Sequence, residues 1–204
     1  METALTLGSG LRRGIEAVAK VMALAAGWAY FATAIFITID VLARKFLGVS
    51  SGATTEISGY LLAFGISWSL AHALAERAHI RIDLLVEKLP IAARVWAHLV
   101  ALLALLALIA ILVWSATNVI EETLLFQARD LSALRIPMIL PQGLWAFGMF
   151  MLALFAFALT LEVVLLLAAG RPMDIEALMH PRNAEDETEE TIRALHDVEE
   201  DAQK

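Results

Sequence analysis

The residues of this chain that could do chemistry are the few ionisable side chains set inside or beside long apolar runs. Holding a charge at mid-helix in hydrocarbon costs roughly 2.5–3.5 kcal/mol on insertion scales, so such a residue needs a reason. Asp40 closes one charge-free run, and Arg44 follows four residues later, so the two can pair on one helical face. That pattern fits an intrahelical pair near an interface as well as a functional carboxylate. Glu56 opens the next run, where a carboxylate suits the positive end of a helix. Capping and contact with a neighbour both satisfy it. Glu162 lies deeper, with Val163–Ala169 still to come before Gly170-Arg171-Pro172. It either reaches an interface or faces a polar partner. His72 and Glu76 are spaced for a local hydrogen bond, and a metal site would need further converging ligands. No Ser–His–Asp set, paired carboxylates or HExxH motif occurs, and the absence of cysteine excludes disulfides, thiolate metal sites and cysteine nucleophiles. No enzyme, cofactor or metal is expected. No glycine pattern for nucleotides appears, and no nucleic-acid partner is expected.

These side chains must be positioned by unusually apolar elements. Of 204 residues, 60% are hydrophobic and 18% charged, against about 45–50% and about 25% in soluble domains. The distribution decides more than the totals. Four windows lack Asp, Glu, Lys and Arg altogether: Val21–Ile39, Ile57–Ala75, Val95–Ile120 and Ile136–Leu161. Each is long enough to cross about 30 Å of hydrocarbon as a helix, which takes roughly 20 residues. Membrane strands would alternate polar and apolar, and these runs do not. Buried helices of a soluble bundle would each keep a polar outer face, and Ala101–Val113 has none. The first window is longer than the core of a cleavable signal, about 7–15 residues, and runs into Asp40-Val41-Leu42-Ala43-Arg44-Lys45 rather than a small-residue cleavage site.

Orientation follows from Lys and Arg in the short connections. Four crossings put the N-terminus, the second connection and the tail on one side, with 11 basic residues, against four on the other side (Arg44, Lys45, Arg129 and Arg135). Both ends are therefore expected in the cytoplasm. Trp96 and Trp114 lie about 27 Å apart along a helix and suit opposite interfaces. In the second connection Ile82, Leu85, Val86 and Leu89 fall at i, i+3, i+4 and i+7, with Asp83, Glu87 and Lys88 opposite and Pro90 closing the run. That describes a short amphipathic helix lying in the cytoplasmic interface. Pro141 fits the first turn of the last helix, and Pro137 keeps its approach irregular. The expected fold is an all-α integral membrane protein: residues 1–14 cytoplasmic, a four-helix membrane domain over 15–170, and an acidic cytoplasmic tail over 171–204. Its helices are expected at about 17–47, 54–76, 91–122 and 140–169, and the interfacial helix at about 80–89. The net charge of −7 resides in the tail, which reads as a solvated end or a regulatory contact.

No arginine ladder marks a voltage sensor, no selectivity-filter sequence is present, and no polar midplane marks a carrier acting alone. Such a bundle reads as a subunit that supports something else. The sequence resembles the small membrane subunit (DctQ-like) of the TRAP, or tripartite ATP-independent periplasmic, transporters over roughly Ile15 to Gly170. Three stretches carry the resemblance. They are Val41-Leu42-Ala43-Arg44-Lys45-Phe46; Glu56 followed through Trp68 by Ala75-Glu76-Arg77-Ala78-His79-Ile80-Arg81-Ile82-Asp83-Leu84; and Leu134-Arg135-Ile136-Pro137 with Leu140-Pro141-Gln142-Gly143. The resemblance implies a bacterial inner-membrane subunit that packs against a large permease subunit, which holds the sodium and substrate sites. A periplasmic binding protein delivers an organic acid or related solute. Candidate contacts to the large subunit are Arg44, Glu56, Trp68, His79, Arg81, Asp83, Pro137, Pro141 and Gly143. The alternatives are a stand-alone carrier like the small multidrug exporters, which needs a carboxylate within its first span, and a membrane scaffold unrelated to transport.

Overall fold

A computed structural model describes residues 2–76, 89–131, 134–179 and 192. The described residues form five helices: α1 (Glu2–Leu47), α2 (Thr54–Ala75), α3 (Ile91–Phe126), α4 (Ile139–Ala168) and α5 (Pro172–Met179). The four long helices are each long and apolar enough to cross a membrane, so the expected all-α, four-span architecture is what the chain adopts. The expected interfacial helix, with His79, Arg81 and Asp83, lies outside the described residues.

α1 extends well beyond the start expected near residue 17. Its 46 residues reach about 69 Å at 1.5 Å per residue, more than twice the hydrocarbon thickness. Polar contacts near Arg12, described below, hold the added turns against α4. α3 continues to Phe126 and closes with Gln127 in the left-handed region at φ 47°. There the Gln127 and Ala128 amides donate to the carbonyls of Leu124 and Thr123, which satisfies two orphan acceptors of the last turn. α4 ends the same way. Gly170 at φ +69° lets its amide reach Leu167 O at 3.0 Å, and the Arg171 amide reaches Leu166 O at 3.1 Å. Pro172 then starts a new helix in a new direction.

α4 is the hub, packing on α1, α2, α3 and α5. In its most apolar window 56% of residues are buried, against 22% in α2 and α3 and 11% in α1. Two glycines set the closest approaches. A Cβ on Gly148 would lie 2.7 Å from the Ser67 backbone, and one on Gly65 would run into the Tyr30 ring. α5 opens the stretch expected to be an acidic tail, yet it is packed. Ile175 and Met179, one turn apart, are buried against α3 and α4, because an amphipathic turn buries its apolar side when a helix end lies beside it.

Candidate functional site

The α1–α2 and α3–α4 connections share one end of the bundle, called the upper end; α5 and the start of α1 share the other. At the upper end Asp40 is buried and accepts from the Arg44 guanidinium at 2.6 Å. It also accepts from the Ser51 amide at 2.8 Å and, more weakly, from the Ser50 hydroxyl at 3.5 Å. The i,i+4 pair read from the sequence is present, and the carboxylate does more than pair. It anchors the turn that carries α1 into α2, whose Gly48 and Gly52 sit at φ +68° and +65°, a conformation side chains resist. Arg44 is itself largely exposed.

The second connection at this end is a tight hairpin. The Asp130 amide donates to Ile136 O and the Met138 amide to Ala128 O, both at 3.0 Å, around an Arg129–Pro137 bridge. Tyr60 of α2 clasps it, donating to Asp130 Oδ2 at 2.6 Å. One turn earlier on α2, Glu56 is half-buried, and its Oε2 is shielded and accepts nothing. Thr123 donates to Gln142 Oε1 at 2.6 Å, tying α3 to α4. Deeper, Trp68 packs on Phe64 and Phe147 and donates its indole N–H to Leu144 O at 2.8 Å. Pro137 is exposed in the hairpin, Pro141 stands in the first turn of α4, and Gly143 has open space where a Cβ would be.

At the lower end Glu162, 10% exposed, meets Arg12 of α1 at 2.6 Å, and Arg12 also holds Glu16 at 2.9 Å. Of the two readings open for Glu162, it takes the polar partner. Arg94 of α3 pairs with Glu176 of α5 at 2.5 Å, with His98 3.9 Å from the same carboxylate. His72, in the last turn of α2, and Glu76, its C-cap residue, stand 4.0 Å apart. Among the described residues no three His, Cys, Asp or Glu side chains gather as metal ligands. The ionisable groups thus sit at the two ends of the bundle. Those with the contacts named above hold helices and turns together.

A model of the tripartite ATP-independent periplasmic transporters, DctQ component, matches residues 33–166. The chain belongs to the DctQ family. No curated relative and no solved structure matches it. The DctQ match takes in the upper end, α2, α3 and most of α4, and so contains every candidate contact named from the sequence. It identifies the chain as a multi-pass membrane component of a TRAP transporter. Of the candidates, the structure brings Glu56, Pro137 and Pro141 to the upper end near the Tyr60–Asp130 clasp, and leaves Arg44 on the neighbouring turn. His79, Arg81 and Asp83 lie outside the described residues. Sequence reading passed over Tyr60, Asp130, Arg12, Arg94 and Glu176. Arg12 and Arg94 figured only in the count of positive charges, and nothing local ties either to an acid 150 or 82 residues away.

Proposed function

We propose that this chain is the scaffolding small permease subunit of a sodium-coupled, binding-protein-dependent importer of an organic acid or related solute in the bacterial inner membrane. The DctQ match over residues 33–166 carries the reading. Two features support it: Asp40, Glu162 and Glu176 are engaged in ion pairs at the helix ends, and α1 and α3 keep broad apolar faces. The large subunit holds the sodium and substrate sites, and a periplasmic binding protein supplies the solute. Both termini lie in the cytoplasm, with the membrane domain over 15–170. Contacts to the large subunit run through Arg44, Glu56, Trp68, Pro137, Pro141 and Gly143, and through His79, Arg81 and Asp83, which brace the two subunits at the cytoplasmic interface.

Reconstitution into proteoliposomes tests the proposal. Sodium-driven uptake is expected only with this chain, the large subunit and the binding protein together. Uptake by this chain alone, driven by protons, would favour the stand-alone carrier. Arg81→Lys is expected to lower recovery of the large subunit with the tagged chain, because lysine cannot reproduce the forked geometry of a guanidinium. Normal recovery and uptake in that variant would remove the brace.

A further inference from the structure

The lower flank of α1 is apolar, edged with charge and uncovered, although it lies outside the hydrocarbon. Lys20 and Asp40 bracket a charge-free run of about 29 Å, one hydrocarbon thickness. The helix continues below Lys20 without a break, so Leu11 and Leu7 stand about 15 and 21 Å beyond Val21. They are 49% and 70% exposed, and Val18, on the same stripe, is 47% exposed. Lipid tails reach Val18 at most. Gly10 and Gly14 open the surface between them, with nothing within 4 Å of a Cβ at either position. Apolar side chains set this far into water call for a protein surface.

Arg13 and Lys20, seven residues apart, run along one edge of this stripe. Both are exposed, and neither has an ion pair or hydrogen bond among the described residues. Glu16, the nearest acid on the helix, is taken by Arg12. A second copy, parallel in the membrane, would set these cations against themselves. A fitting partner brings an apolar stripe edged with acids.

The chain's own C-terminal segment has that make-up. Residues 183–204 hold nine Asp and Glu against Arg193 and Lys204. Ile192, Leu195, Val198 and Ala202 fall at i, i+3, i+6 and i+10, one stripe of a helix. Ile192 itself is helical and 49% exposed. α5 fixes where the segment starts, since Ile175 and Met179 are buried and Glu176 is paired with Arg94. Both α5 and α1 pack on α4, which sets them about 20 Å apart, two helix spacings. Residues 180–191 reach about 40 Å when extended, so the span is easily crossed. We propose that residues 183–204 dock on the lower flank of α1, with Ile192, Leu195 and Val198 on Leu7, Leu11 and Val18. The acids lie on Arg13 and Lys20. The two ends of the chain then clasp the lower end of α4 between them.

The test uses the full chain, which lacks cysteine, purified in detergent. Ala194→Cys is combined with Ala17→Cys on the flank, or with Ala92→Cys, exposed on α3 two residues from Arg94. Disulfide formation under mild oxidation is followed by loss of free thiol. An undocked tail would meet Ala92, beside its own anchor, at least as often as Ala17. Docking is expected to close the Ala17 pair about tenfold faster, through local concentration, and high salt should shrink the difference. Arg13→Glu with Lys20→Glu should abolish it, and adding Glu189→Lys with Glu190→Lys should restore it. Equal rates for the two pairs, or a faster Ala92 pair, overturn the proposal. So does a preference that survives charge reversal in α1. A disulfide between two chains carrying Ala17→Cys alone would give the flank to a second copy. Loss of the intrachain link on assembly with the large subunit would give it to that protein. Either result overturns docking of the tail.

Discussion

Truncating Arg12 would strand the carboxylate of Glu162, which is 10% exposed and reaches Arg12 at 2.6 Å. Removing one partner of a buried pair costs about 3–5 kcal/mol, because the remaining charge keeps its desolvation penalty without its compensation. Arg12→Ala is therefore expected to destabilise the chain by about that much. Arg12→Leu combined with Glu162→Leu should cost markedly less, since neither charge is then left alone. Unfolding by denaturing detergent, followed by circular dichroism, measures both. Equal losses in the single and double variants would show that Arg12 acts through packing. Arg44 presents the opposite case: its side chain is 60% exposed, and exposed pairs contribute about 0–1 kcal/mol. The weight in that pair falls on Asp40, which also fixes the backbone of the turn through Ser51. Spacing revealed the Asp40–Arg44 pair because both members sit on one helix. It could not reveal the Ser51 contact, which exists only once the chain has turned back on itself.

Among the helices, closeness of approach matters more than apolar content. In lipid no hydrophobic drive pushes helices together, so small residues that let backbones meet carry much of the association. Gly148 is such a residue, with Ser67 2.7 Å from the position of a Cβ, whereas Gly143, five residues earlier on α4, has nothing within 4 Å. Gly148→Ala is expected to force α2 and α4 apart and cost about 1–3 kcal/mol. Gly143→Ala should be neutral or stabilise by up to about 1 kcal/mol through helix propensity. The same detergent titration compares them, and matching values would show that α2 and α4 do not meet at Gly148. Pro141 was legible as a first-turn proline because the rule is local. Gly148 was not, because its need for a missing side chain comes from another helix.

For the whole molecule, the proposed orientation rests on four crossings and the Lys and Arg distribution of 11 against four, which predicts a periplasmic upper end. The chain has no cysteine, so single cysteines report sidedness without background. Val49→Cys and Leu131→Cys, at positions 63% and 102% exposed, are expected to react with an impermeant thiol reagent in intact cells. Lys88→Cys and Gln203→Cys should react only after permeabilisation. The reverse pattern would overturn the proposed orientation.

The number of helices long enough to cross, and roughly where each lies, could be read from the residues alone. Whether a segment enters hydrocarbon depends on the transfer free energy of its own side chains, and the four charge-free windows state it directly. Contacts within one helix, such as Asp40 with Arg44, were legible in the same way, and so, through the three family-like stretches, was the DctQ membership. That α4 is the hub emerges only from how the helices pack. α3 is as apolar as α4, yet 22% of its most apolar window is buried against 56% in α4. Composition cannot separate them, because lipid and protein neighbours are equally apolar and a leucine satisfies either. The same holds for Arg12 with Glu162, Tyr60 with Asp130 and Arg94 with Glu176. Each joins groups far apart in sequence, and their meeting depends on which helix packs beside which.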